Sequence, residues 1–186
     1  MFGLNLIIII LFFPASFGLL WQSFSLNNLS AQLISFAFFL FSLEQARMAV
    51  IDLKPCIFSK NCFQSTVFIK FYLVIITTLI IELFGFYLAL FSLGWGAIFV
   101  LISQFWFNCF APVKIRETEN ITIQDYPFTD KIIILAADTI ALILMSLWLI
   151  NIFPLIISIS ILALTLIFCF VKYRNHRTKS KAIFSN

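Results

Sequence analysis

Four ionisable side chains stand inside long apolar runs of this chain: Glu44, Arg47, Glu82 and Asp138. Ionisable groups in such surroundings are expensive and normally face protein or a watery cavity. A carboxyl group placed there can bind a proton, hold a small cation or close an ion pair. Glu44 and Arg47 are three residues apart, so they share a helical face and can pair. Arg47 can also reach toward water along its aliphatic stem. Gln104, Asn108 one turn further along, and Thr165 add uncharged polar groups to the set.

These residues need helices to position them. A helix crosses a membrane in about 20 mostly apolar residues, because ~30 Å of hydrocarbon is covered at ~1.5 Å per residue. Apolar runs predict spans over 3–21, 29–51, 66–91, 94–111, 131–150 and 154–172. The run 66–111 is too long for one helix, which would measure about 69 Å. Ser92-Leu93-Gly94-Trp95-Gly96 supplies a break, since neighbouring glycines favour a turn. The segment from Asn151 to Pro154 divides the last run, with proline suited to the first turn of the returning helix. Strands fit poorly, because the runs are long and do not alternate. The expected fold is all-α, a polytopic bundle of six transmembrane helices in three hairpins. A basic tail follows from 173 to 186. Ser16-Phe17-Gly18 offers a weak cleavage site, and a cleaved first segment would leave five helices.

Composition agrees with this class. The chain is 62% hydrophobic and 11% charged, against about half and a quarter in soluble domains. Its twelve lysines and arginines fall in or beside 47–70, 114–131 and 172–181, whereas 21–28, 91–96 and 150–154 carry no charge. Basic flanks mark the cytoplasmic side. Both termini are therefore expected in the cytoplasm, in a bacterial inner membrane or an equivalent internal membrane. The sequons Asn28-Leu29-Ser30 and Asn120-Ile121-Thr122 are read as coincidence.

The span ends place the polar residues in depth. Glu44, Gln104, Asp138 and Thr165 each lie seven residues from a basic-side end, about 10 Å inside. Asn108 extends that layer. Glu82 is expected deeper, about 24 Å along its helix. Gly85 and Ala89 share its face and should pack against another helix, and Ala137 with Ala141 offers a similar surface beside Asp138.

Other chemistry finds little support. The four cysteines are Cys56, Cys62, Cys109 and Cys169. The Cys56–Cys62 separation exceeds usual zinc-ligand spacing, and a reducing compartment would keep all four as thiols. No metal site or cofactor is expected. His176, in the basic tail, is the only histidine, so paired haem ligands, a Ser–His pair within the spans and an H-E-x-x-H motif are excluded. Lys172, Arg174, Arg177, Lys179 and Lys181 suit an orientation signal, an anionic lipid surface or an acidic partner.

The partners expected are the lipid bilayer and either other membrane proteins or further copies of this chain, with no nucleic acid. The leading expectation is a non-enzymatic accessory, assembly or structural subunit working through helix packing. The alternative is a small carrier or channel for a proton, ion or small solute. It would use Glu44, Gln104, Asn108 and Asp138, with Glu82 as a deeper relay. An intramembrane enzyme is the remote third reading.

Overall fold

The computed structural model describes residues 2–58, 66–117 and 121–183. Six helices dominate it: α1 (Phe2–Ser25), α2 (Leu29–Phe58), α3 (Thr66–Ala89), α4 (Leu93–Phe110), α5 (Phe128–Leu149) and α6 (Pro154–Ile183). All six are long and apolar enough to cross a membrane, as in a polytopic helical membrane protein. The apolar segments begin and end within about four residues of the positions read from hydropathy.

Helix α2 is the centre of the bundle, in contact with α1, α3, α4 and α6. Its start is capped by Asn28, whose Oδ1 accepts from the Ser30 N–H at 2.9 Å. That bond satisfies one of the orphan donors of a helix start. Helix α1 packs on α2 through Ala15, Ser16 and Leu19 against Ile34, Ser35 and Phe38, all buried. The Ser42 and Ser16 hydroxyls meet at 2.8 Å, and Ser35 Oγ donates to Leu19 O at 2.8 Å. Small polar residues of this kind let apolar helices approach and give them bonds that lipid cannot supply. The hairpin of α5 and α6 is looser. Its arms rest on different neighbours, α5 on α4 and α6 on α2.

The α3–α4 hairpin is the tightest element. A Cβ on Gly96 would lie 2.2 Å from Ala89 N, and one on Gly85 would lie 2.8 Å from Val100 N. The two backbones therefore come close at these residues, with only the Ala89 methyl and the Val100 side chain beside them. This corrects the role expected of the glycines. The turn is made by residues 90–92, Gly96 lies inside α4, and no glycine among the described residues has a positive φ. Gly96 is required for closeness, not for backbone freedom. Gly85 and Ala89 do face a neighbouring helix, which is α4.

Three further departures concern the charged end. Helix α2 runs on to Phe58, so Asp52, just past the expected span 29–51, is helical. Helix α6 continues through the basic segment to Ile183, where a tail was expected. The α4–α5 connection holds a two-stranded antiparallel hairpin, β1 (Val113–Glu117) and β2 (Ile121–Asp125). Alternation of Val113, Ile115, Ile121 and Ile123 with polar residues is the strand signal in that segment.

The uncharged end is closed by neutral contacts. Gln22 Nε2 donates to Leu90 O at 2.7 Å, and Tyr87 Oη donates to Leu11 O at 3.1 Å. The α5–α6 turn puts Asn151 and Phe153 at φ 61° and 41°. Asparagine is suited to that left-handed geometry. Phenylalanine is not, and it stores about 1–2 kcal/mol there.

Replacing Gly96 by alanine is expected to destabilise the protein by about 1–3 kcal/mol, the usual cost of forcing atoms into a filled space. Gly3→Ala, where the added methyl meets open space, is the control. Thermal unfolding in detergent should rank Gly96→Ala well below both the control and the parent.

Candidate functional site

The polar residues inside the bundle come together along one seam. Gln104 Nε2 on α4 donates to Glu82 Oε1 on α3 at 3.2 Å. Asn108 Nδ2, one turn along α4, donates to Asp138 Oδ2 on α5 at 2.9 Å and lies 3.0 Å from Gln104 O. Two carboxyl groups on different helices are thus each held by a carboxamide of α4. Gln104 and Asn108 are four apart, so α4 presents both from one face.

Glu82 stands closer to the layer of Gln104 than the distance along its own helix suggested. It lies level with Gln104. The reason is unequal length: α3 has 24 residues and α4 has 18. Joined at the uncharged end, α3 overshoots α4 by six residues, about 9 Å. Its position along α3 therefore overstates its depth.

Glu44 and Thr165 do not join the seam. Glu44 forms a two-point ion pair with Arg47, at 2.6 and 2.9 Å. The pair lies on the side of α2 toward α6. Nearby, the Phe41 ring meets Phe168 at 5.6 Å. Thr165 Oγ1 donates to Ile161 O within its own helix at 2.9 Å. Equal depth brought four helices into one layer, but depth says nothing about the direction a side chain takes around its helix. Ala137 is exposed and Ala141 half-buried, so that pair contributes no tight seam.

A cavity of about 30 Å³ opens beside Glu82, between α2, α3 and α4. That is room for about two waters. Its polar lining is Gln45 and Asp52 from α2, Thr78 and Glu82 from α3, and Gln104 from α4. Two matching stripes build it. Residues 45, 48, 49 and 52 of α2 and 75, 78, 79 and 82 of α3 follow the i, i+3, i+4, i+7 spacing of a single helical face. Met48, Ile75 and Phe107 supply apolar walls. Glu82 is 2% exposed and Gln45 is 5% exposed. Gln45 Nε2 is buried with no hydrogen-bond partner among the described residues. Asp52 is half-buried, one residue before the end of the apolar segment at Leu53.

Gln45, Asp52 and Thr78 were not among the residues singled out from sequence. The stripe 45–48–49–52 was readable only with α2 continued past residue 51. Lys131 was also missed. It is 8% exposed, its Nζ donates to Ala111 O at 2.7 Å, and it stands 5.0 Å from the centre of the Tyr126 ring. Ala111 is the C-cap of α4, where carbonyls lack helical partners and the dipole is negative. Lys131 thus closes the end of α4 beneath the β hairpin. Cys109 and Cys169 are free thiols. Cys62 and Asn120 lie outside the described residues.

The seam makes separable energetic claims. A double-mutant cycle on Asn108 and Asp138, with leucine at each, is expected to give a coupling of about 0.6–1.7 kcal/mol, as for bonded pairs in membrane bundles. The same cycle on Glu44 and Asp138 should give less than about 0.5 kcal/mol, the additive result for residues without shared partners. Unfolding of the purified variants in mixed micelles checks both. No known protein family, no curated protein and no solved structure matches this chain.

Proposed function

We propose that this chain is a small membrane carrier that takes up a proton or another small cation at Glu82 from its charged end. The observation that carries the reading is the cavity holding two carboxyl groups, Asp52 and Glu82, on neighbouring helices. Carboxyl groups inside a membrane bundle are costly, and a functional site is their default interpretation. Structural bonding between helices is cheaper with the serines and carboxamides used elsewhere in this bundle. The size of the cavity also bears on the choice. With room for about two waters, it suits a proton or a small ion and has no space for an organic solute or substrate. The contact between the α3 and α4 backbones at Gly85 and Gly96 lies toward the uncharged end. The site therefore resembles the one-side-open state of an alternating-access protein.

The orientation belongs to the same proposal. Lysine and arginine flanks lie at the end where α2 finishes, α3 begins and the β hairpin sits, which favours that end in the cytoplasm. Both termini would then be cytoplasmic. A bacterial inner membrane, or an equivalent internal membrane, suits that arrangement. The lipid bilayer is the one partner this function requires.

Reconstitution into liposomes containing a pH-sensitive dye tests the reading. A pH gradient should collapse faster with protein than without it. Glu82→Gln should lower the rate by about tenfold or more, since an amide cannot bind and release the proton. Thr165→Val should not change it. If neither protons nor sodium nor potassium ions cross, and the tagged protein instead co-purifies in stoichiometric amounts with a larger membrane protein, the carrier reading fails. The accessory-subunit role suggested by the sequence then replaces it.

A further inference from the structure

We infer that the cavity between α2, α3 and α4 holds a pair of waters, oriented by Gln45 and Thr78, that pass protons between Asp52 at its rim and Glu82 at its base. The inference sharpens the carrier reading by naming the proton as the species received, and it can fail independently of transport.

The hydrogen-bond donors and acceptors of the lining set its direction. Gln45 lines the cavity, and its Nε2 is buried with no acceptor among the described residues. A buried donor left in that condition costs about 1–3 kcal/mol. A water in the cavity removes the cost by accepting from it. Thr78 Oγ1 already donates its one hydrogen to Val74 O at 2.7 Å. Toward the cavity its oxygen can only accept. Glu82 receives the Gln104 amide at Oε1, which leaves Oε2 for the cavity. A water that accepts from Gln45 therefore has two places to donate, Thr78 and Glu82. A bare metal ion is a poorer fit, because the Gln45 hydrogens would point at it.

The volume of about 30 Å³ allows about two such waters. The second reaches Asp52, half-buried near the end of the apolar segment. The proton step is balanced. A protonated Asp52 gives its proton to the second water. That water passes one of its own to the first, and the first protonates the Glu82 carboxylate. One O–H bond breaks and one forms at each transfer. Asp52 is left as the carboxylate and both waters are restored.

Among the described residues, few other ionisable groups surround Glu82. Asp52 faces it from α2, and Asp138 of α5 stands behind Asn108 and Gln104. Helix α1 carries no ionisable side chain, and the Cys109 thiol of α4 is exposed.

Infrared spectroscopy of the reconstituted protein tests the inference without any need for flux. The carbonyl stretch of the protonated Glu82 carboxyl, assigned by its loss in Glu82→Gln, shifts when deuterium replaces the proton. After transfer to D2O, Gln45→Leu should slow that shift by about tenfold or more, the equivalent of one lost hydrogen bond to a buried polar site. Asp52→Asn should slow it as well, and Thr165→Val should leave it unchanged. Gln45→Met, close in shape, guards against a misfolded leucine variant and should behave like it. Parent-like exchange in Gln45→Met and Asp52→Asn overturns the inference even if liposomes transport protons. Slowing of the parent's exchange by sodium chloride, but not by choline chloride, also overturns it, since the cavity would then hold an ion. Slowed exchange in the variants with no proton flux in the parent retains the water pair and removes the carrier reading alone.

Discussion

Lipid hydrocarbon offers no hydrogen bonds, so polar atoms in these helices must find partners in the protein or in water it encloses. Most of the architecture follows from that constraint. Serine and threonine hydroxyls turn back on their own helices, as Ser103 does on Val100 O and Thr78 on Val74 O. Longer side chains bind across helices. Gln22 secures the end of α3, and Gln104 and Asn108 hold the carboxyl groups of α3 and α5. Helix α2 gathers the others around it because it has polar and small residues on several sides. Serines face α1, the Glu44–Arg47 pair lies toward α6, and Gln45 and Asp52 look toward α3 and α4. Gln45 Nε2 stands out against this background as the buried side-chain donor that the described residues do not satisfy.

The two ends of the bundle solve the same problem differently. At the charged end Lys131 caps α4 through Ala111 O and lies against Tyr126, with the β hairpin beyond it. At the other end neutral groups suffice: the Asn28 cap, the Gln22 amide and the Tyr87 hydroxyl. A cation at a helix C-terminus meets the negative pole of the helix dipole. Lys131 therefore acts in folding as well as in the charge asymmetry that suggests orientation.

Span lengths and the three hairpins were legible in the sequence because about 20 apolar residues are needed at every crossing. The Glu44–Arg47 pair was legible because its partners are three residues apart on one helix. Contacts between helices were much less so. The common depth of Glu44, Gln104, Asp138 and Thr165 suggested one layer, yet only Gln104 and Asp138 belong to the seam. Rotation around each helix decides the matter, and depth carries no information about rotation. Glu82 was placed too deep because the six-residue overshoot of α3 beyond α4 is a tertiary property. Gly94 and Gly96 pointed to a turn by composition, whereas the chain turns just before them and uses Gly96 for close packing. The expected span stopped at residue 51, whereas α2 runs on past it and sets Asp52 in the cavity wall. Each error came from treating a local signal as though no neighbouring helix competed for the residue.

The backbone contact at Gly85, Ala89 and Gly96 has a mechanical consequence. At these residues backbone lies against backbone, which opposes sliding of α3 along α4 and makes the pair act as a single beam. Glu82 and its Gln104 partner ride on that beam together. Reorganisation that exposed Glu82 to the opposite surface would have to leave this pair intact and displace what leans against it. In such a reorganisation the α5–α6 hairpin, which rests its arms on separate supports and turns at the left-handed residues Asn151 and Phe153, would be the part to yield.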